Sequence, residues 1–359
     1  MYYSLKNLIE KGRYDSKYQD ILKESLCSLS SLPLLGIKGE LICCNRGYLN
    51  KQITKIKNTY RSTKVNSRGI NIEDCLSSAI IEGARTTVEE VKKSLGKDYA
   101  SISKSDRMVI NVVNVLGNLS TSLSEPNLIK EWRVIVDGVC ENENIKGSKY
   151  RSGSVCVRSE SRVVHECASV DRVQPCMDSL FEYLKSDKDC CILKAVILHF
   201  YIVYVHPFCD GNGRLARYMV LKVLYQYGYE NFSKMPIITL LKENVQKYYR
   251  SIESSEYRVK YKGKEIIDIT PHLIFMLKIL ECSLIRYQQL SVELSDNEKR
   301  VLSSMKKRGI GTEISVKKCS NLLSCTEEES RMVLNNLYKN GMLDKRKEGR
   351  INIYTLWKI

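Results

Sequence analysis

One twelve-residue stretch gathers the groups that could do chemistry: His206-Pro207-Phe208-Cys209-Asp210-Gly211-Asn212-Gly213-Arg214-Leu215-Ala216-Arg217. His206 is its one side chain suited to general-base work near neutral pH. Asp210 offers a hard oxygen ligand of the kind Mg²⁺ takes alongside phosphate oxygens. Gly211, Asn212 and Gly213 tolerate left-handed or strained backbone, and the pattern predicts a helix over 214–227. A glycine-rich turn feeding a helix leaves unpaired N–H groups at the positive end of the dipole, which is an anion site. Arg214 and Arg217, three apart, are expected to project from one side of the first turn. The helix dipole prefers acids there, and a polyphosphate would supply the missing negative charge.

The elements around this stretch read as mostly helical. The apolar run AVILHFYIVYV over 195–205 must end at His206, because Pro207 disfavours helical backbone in the residue before it. His199 within that run, with His165 and His272, reads as a packing residue. Periodicity near 3.6 predicts helices over about 15–30, from Asp74 through Leu95, over 106–119, over 128–138, and from Cys176 with breaks to about Leu290. Ser31 to Gly39, with Pro33, Gly36 and Gly39, reads as a connector. Glu141 to Cys176 is rich in Gly, Ser, Val and charge, with a short strand or hairpin near Ser154 to Val157.

With 359 residues the chain is long enough for two or three domains. It carries 57 Lys+Arg against 41 Asp+Glu, a net charge of +16, which permits phosphate-bearing partners without choosing among them. The longest apolar run is about half of what a membrane span requires. No export signal is visible at the N-terminus, so a cytoplasmic, reducing setting is expected. Fourteen cysteines without a C-x-x-C spacing are then expected to be mostly buried, inert thiols.

The stretch 206–217 resembles the Fic family, whose signature HPFx(D/E)GNGRxxR is matched at every fixed position. Nine specified residues coincide by chance on the order of once in 10¹² trials, far from the case of a lone glycine motif. The resemblance implies a mainly α Fic fold and transfer of AMP from ATP to a Ser, Thr or Tyr hydroxyl of a target protein. By position, it implies that His206 deprotonates the hydroxyl and Asp210 holds Mg²⁺. Gly211, Asn212 and Gly213 would cradle the α- and β-phosphates, and Arg214 and Arg217 would bind the β- and γ-phosphates. Doc-type kinases of the same family usually carry Lys in place of Gly213, which favours AMP transfer over phosphate transfer.

Ser78-Ala79-Ile80-Ile81-Glu82-Gly83 matches the family's inhibitory motif (S/T)xxxE(G/N). Ser78 and Glu82, four apart, are expected to share a helix face. The resemblance implies that Glu82 pairs with Arg217 and blocks the γ-phosphate. Gly147 to Arg151 with Val155-Cys156-Val157 looks like the family's β-hairpin flap, which implies docking of the target on 150–157 by strand addition. Two departures lie nearby: Glu166 to Ser169 replaces a common Pro-Pro, and Trp132-Arg133 a common Leu-His. Asn244, Tyr248 and Tyr249 resemble positions lining the adenine pocket.

Residues 295–359 read as three helices, over 296–308, 316–323 and 326–340, then a hairpin of 342–347 with 351–356 around Glu348-Gly349-Arg350. That is the pattern of a winged helix-turn-helix. It carries 14 Lys/Arg against 8 Asp/Glu, and its wing has Lys345, Arg346, Lys347 and Arg350. Yet Glu327 to Glu329 open the helix that would approach DNA, so DNA binding is balanced against protein docking or homo-oligomer formation. The expected organisation is an N-terminal helical region with the inhibitory helix (1–104), a catalytic core (105–290) and the winged helix (291–359). Alternatives to the adenylyltransferase are a DNA-binding regulator with a nucleotide-sensing or self-modifying Fic portion and a Doc-like phosphotransferase.

Overall fold

The computed structural model describes residues 2–63, 71–98, 101–140, 149–159, 162–186, 188–290, 294–308, 312–339, 342–349 and 351–356. Gly147, Ser148 and Arg350, singled out from the sequence, lie outside the described residues. The chain divides into two compact units, residues 1–61 with 67–281 and residues 62–66 with 282–359.

In the first unit, α1 (Leu5–Gly12) is capped by Ser4, whose Oγ accepts from the Asn7 amide. Asp15 caps α2 (Ser16–Ser28) in the same way. The expected connector that follows is instead a strand, β1 (Ser30–Leu35), paired antiparallel with β2 (Leu41–Cys44). Pro33 is compatible with this because β1 is the edge strand of its sheet. Next come α3 (Arg46–Ser62), α4 (Ile72–Ile81) and α5 (Val88–Ser94). The single helix expected from Asp74 to Leu95 is therefore two helices. Gly83, at φ 90°, breaks it, and a capping box between Thr87 and Glu90 starts α5.

The chain continues through α6 (Lys104–Leu116) and α7 (Glu125–Val136) to a hairpin of β3 (Cys156–Ser159) and β4 (Arg162–Glu166). Then follow α8 (Val170–Lys185), α9 (Cys191–Val205), α10 (Asn212–Gln226), α11 (Ile237–Glu243) and α12 (Val245–Ser255). A second hairpin, β5 (Arg258–Tyr261) and β6 (Lys264–Asp268), interrupts the helical run expected there. Lys262 and Gly263 both have positive φ at its turn, as a two-residue hairpin loop demands. β6 pairs parallel with β2, Ile42 opposite Ile267, completing a sheet of order β1-β2-β6-β5. α13 (Thr270–Leu290) follows.

α9 is the axis of this unit. Its apolar residues are buried nearly all round, those from Ile192 to Ile202 with Tyr204 and Val205 being at or near zero exposure, as an all-round apolar helix requires. α10 packs back against it, so the loop joining the two is held between buried helices. The buried Lys222 of α10 is matched by Glu131 of α7 and by the Asn118 carbonyl at 3.2 Å.

The second unit contains α14 (Asp296–Lys307), β7 (Glu313–Ser315), α15 (Val316–Leu323), α16 (Glu327–Lys339), β8 (Leu343–Glu348) and β9 (Ile351–Leu356). Its sheet has the order β7-β9-β8, all antiparallel, over a core that includes Val301, Met305, Ile314, Leu334, Leu337 and Tyr354. The helices and hairpin lie close to their sequence positions, whereas the three-residue β7 had no readable pattern. Arg346 of β8 is paired with Glu313 at 2.7 Å and Glu348 at 2.8 Å, so this basic residue already has two internal carboxylates.

No helix among the described residues is long and apolar enough to cross a membrane. The cysteines are less buried than expected. None is in a disulfide, six are buried, Cys27 and Cys156 are exposed and the other six lie between.

Candidate active site

The α9–α10 loop is built by its neighbours. α9 ends at His206, which adopts left-handed backbone, φ 54° and ψ 61°, a conformation that costs a non-glycine residue on the order of 1–2 kcal/mol. Arg151 holds it there. Its Nε donates to the His206 carbonyl at 2.7 Å, its Nη1 to the Gly153 carbonyl at 2.9 Å, and its Nη2 to the Ala168 carbonyl. Its amide donates to the Pro207 carbonyl at 3.0 Å. Both bases of the β3–β4 hairpin are thereby tied to the loop. This role of Arg151 is not legible in the sequence, because its partners are carbonyls, which carry no sequence signal. Arg151→Ala would leave several carbonyls unpaired and is expected to lower stability by about 3 kcal/mol in denaturant unfolding.

Phe208 is stacked on Trp132 at 4.1 Å between ring centroids and lies 5.5 Å from Tyr150. Trp132 Nε1 also donates to the Asp210 carbonyl at 2.8 Å. The departure at 132 is thus a support for the loop. Of Gly211, Asn212 and Gly213, only Gly211 is left-handed, at φ 80°; the other two already belong to α10. A Cβ at Gly211 would come within 2.6 Å of Val136 Cγ1, so the close approach to α7 also demands glycine. The Asn212 side chain braces the loop. Its buried carboxamide accepts from the Phe208 amide at 3.0 Å and donates to the Phe208 carbonyl at 2.7 Å. Its backbone N–H, with those of the next residues, remains for an anion, since no side chain caps α10.

The two arginines diverge. Arg214, 2% exposed, donates from Nη1 to the Ile135 carbonyl at 3.0 Å and from Nη2 to the Asp210 carboxylate at 3.3 Å; its buried Nε has no partner. Arg217, also 2% exposed, turns to α4. Its Nε donates to Ser78 Oγ at 3.0 Å, and its Nη2 to the Ser78 carbonyl at 3.0 Å and Glu82 Oε1 at 2.8 Å. The expected common projection fails because buried acceptors on different helices claim each guanidinium.

Glu82 is the residue that ends α4, and Gly83 turns the chain away behind it. α4 is fixed by Asp74, whose carboxylate accepts from the Ile238 and Thr239 amides at 2.9 and 2.8 Å and so caps α11. The Glu82 carboxylate consequently lies over the start of α10, where a Cβ on Gly213 would drive into Oε1. A carboxylate thus occupies the position that a helix N-terminus offers an anion.

His206 Nδ1 faces the Val203 carbonyl at 3.4 Å, which favours a proton there and a lone pair on Nε2. Burial, with the charges of His165 and Arg151, pushes its pKa down to about 4, so the ring is neutral at pH 7. His165, read as a packing residue, is more than that. Its nitrogens meet Glu256 at 2.9 Å and the Tyr204 carbonyl at 2.8 Å. Two acceptors require two protons, so the ring is an imidazolium. Burial opposes that charge, but hydrogen bonds with Cys167 and Glu256 push its pKa up to about 10.

Asp210 keeps its side chain 44% exposed, with Oδ1 accepting from the Gly211 amide at 2.5 Å. A single oriented carboxylate open to solvent suits Mg²⁺, which completes its shell with phosphate and water. Asn244 is committed to the α11–α12 junction, its amide donating to the Leu240 carbonyl at 3.0 Å. Tyr248 is 2% exposed, and its hydroxyl meets His199 Nε2 at 3.1 Å. Tyr249, 49% exposed, remains available to a ligand.

Residues 128–224 match the model of the Fic/DOC family. The chain carries a Fic domain. Among curated relatives, "Protein adenylyltransferase fic-1" of Caenorhabditis elegans is 31% identical over 106 residues, 30% of this chain and 18% of that one. "Protein adenylyltransferase Fic" of Nematostella vectensis is 26% identical over 147 residues, 40% of this chain and 30% of that one. This chain therefore spans less than a third of the length of either relative. Of solved structures, a Fic family protein from Desulfovibrio desulfuricans covers 86% of this chain and 96% of its own at 19% identity and a TM-score of 0.57. Fic-1 from C. elegans covers 79% and 82% at 16% identity and a TM-score of 0.54. These likenesses show the mainly helical Fic fold, whose domain contains α9, α10 and the loop described above.

Proposed function

We propose that this chain is a protein adenylyltransferase that moves AMP from ATP to a hydroxyl side chain of another protein, and that Glu82 holds it inactive. The observation that carries this reading is the Glu82 carboxylate seated on Arg217 at the uncapped start of α10. An acid is held where a phosphate oxygen would be, by an arginine and a helix dipole that both favour anions. Relatives that are named protein adenylyltransferases support the reaction class.

In the proposed reaction His206 Nε2 takes the proton of the target hydroxyl, whose oxygen forms a bond to the α-phosphorus of ATP. The α–β anhydride bond breaks and pyrophosphate leaves, so the target carries AMP and His206 carries the proton. The N–H groups at the start of α10 and Arg217 hold the phosphates, and Arg214 steadies the Asp210 carboxylate. Asp210 would hold Mg²⁺, which would neutralise phosphate charge. The β3–β4 hairpin, anchored through Arg151 and His165, presents a strand edge on which a target segment can align.

Purified protein incubated with a candidate acceptor and ATP labelled at either the α- or the γ-phosphate tests the reading. Transfer of the α-label alone is expected. Transfer of the γ-label would replace it with a phosphotransferase. Asp210→Asn, made in a Glu82→Gly background, is expected to weaken Mg²⁺-dependent ATP binding by about tenfold, equivalent to ~1.4 kcal/mol. Calorimetry with and without Mg²⁺ checks this, because ATP binding in the absence of the metal should change little.

A further inference from the structure

The flap is fastened to the end of α9 by a charged side chain of β4. His165 stands opposite Val157 in the hairpin register, which makes it a cross-strand partner of the segment 150–157 on which a target is expected to dock. Its side chain, 9% exposed, turns inward. Nε2 donates to the Tyr204 carbonyl at 2.8 Å and Nδ1 to Glu256 at 2.9 Å. Tyr204 lies two residues before His206 in the last turn of α9, and Glu256 is the cap that ends α12. Three residues beyond His165, the Ala168 amide donates to the Val205 carbonyl at 3.3 Å. The two bonds of the ring need its charge, since a neutral imidazole has a single N–H to give. Glu256 secures that charge: it is 14% exposed, and among the described residues its buried Oε1 receives no hydrogen bond, so the ring is the cation it answers. The neighbouring pair of Glu166 with Lys38 is exposed on both sides and adds little.

We propose that His165, paired as a cation with Glu256, is a positioning residue for the acceptor. It fixes the docking strand relative to His206, so that the hydroxyl of a segment added to the flap arrives at Nε2. This rests on the reading of 150–157 as the target-docking strand. The tolerance is small: neighbouring strand residues are about 3.3 Å apart, and a slip of one residue turns the hydroxyl to the opposite face. The groups proposed to hold ATP lie on α10 and in the loop before it, outside this anchor. Losing the anchor should therefore cost acceptor use and spare nucleotide binding.

The anchor can be read without activity. The chain has four histidines, so ¹⁵N imidazole spectra of the full-length protein can be assigned by substitution, and His165 is expected to carry both protons at about pH 8. A neutral ring there overturns the proposal. In His165→Gln the amides of β3, β4 and Ala168 are expected to exchange with solvent about tenfold faster, while those of α10 keep their protection. Unchanged exchange in the flap, or an equal loss in α10, overturns it. The kinetic test uses His165→Gln and Glu256→Gln in the Glu82→Gly background, with a pool of short synthetic peptides that each carry one Ser, Thr or Tyr. Their labelling from α-labelled ATP is expected to fall about tenfold in kcat/KM, the lower range for a hydrogen bond to a charged group, with Mg–ATP affinity by calorimetry unchanged. Unchanged labelling, or a matching loss of ATP affinity, overturns the proposal, and Glu256→Gln decides should His165→Gln not fold. Should neither phosphate label reach any peptide while protonation and exchange behave as expected, the target-transfer reading fails and the anchor stands.

Discussion

Glu82→Gly is expected to raise α-label transfer by about 10- to 150-fold, the equivalent of one charge-assisted hydrogen bond of roughly 1.5–3 kcal/mol. The gain comes from removing a competitor: the carboxylate holds Arg217 and covers Gly213 in the resting protein. A stability change should accompany it. Arg217 is fully enclosed, and losing its carboxylate leaves a buried cation with neutral partners only. Because Glu82 is itself partly exposed, the cost is expected to be about 1–3 kcal/mol rather than that of a fully buried pair. Added Mg–ATP should restore it, since phosphate replaces the missing anion. Thermal unfolding with and without nucleotide reads both effects. A variant that neither labels faster nor loses stability would remove Glu82 as the inhibitor.

His206→Ala is expected to lower transfer by about 10²–10⁴-fold, the usual contribution of a positioned base, with ATP binding unchanged by calorimetry. The pH profile gives a second signature. The active form is the neutral ring, and with a pKa near 4 that form persists well below pH 6.5. The acid limb of kcat/KM for the free enzyme should therefore lie near pH 4. Glu82 pushes the His206 pKa up, so Glu82→Gly should move that limb lower still. For stability the sign is equally definite. The unfolded chain binds the His206 proton more readily, so this residue's contribution falls as pH drops through 6.5 and levels near 4. An acid limb at 6.5 would mean that the ring is solvated, contrary to its burial.

The motif was readable because its chemistry is local. A helix stop, a left-handed glycine, an anion-binding helix start and two arginines follow one another within twelve residues. The pairing of Glu82 with Arg217 was expected from a matched motif, but the way Glu82 is presented was not: it ends α4 at a Gly83 break where periodicity had run one helix through. The sheet escaped because β2 and β6 are four and five residues long and meet from opposite ends of the unit, Cys43 opposite Asp268. No local pattern links such partners. Lys262-Gly263 was the readable sign of the β5–β6 hairpin. The side-chain partners of Asn212 and Tyr248 were illegible for a common reason. Their types suit ligand contact, and only the tertiary structure shows that Phe208 and His199 already hold them.

A crystal structure of the Glu82→Gly protein with Mg²⁺ and a non-hydrolysable ATP analogue tests the phosphate site most directly. The expected result is a triphosphate at the start of α10, an oxygen where the Glu82 carboxylate had been, within hydrogen-bonding reach of Arg217, and the α-phosphorus facing His206. An empty helix start, or Arg217 turned away from the nucleotide, would contradict it.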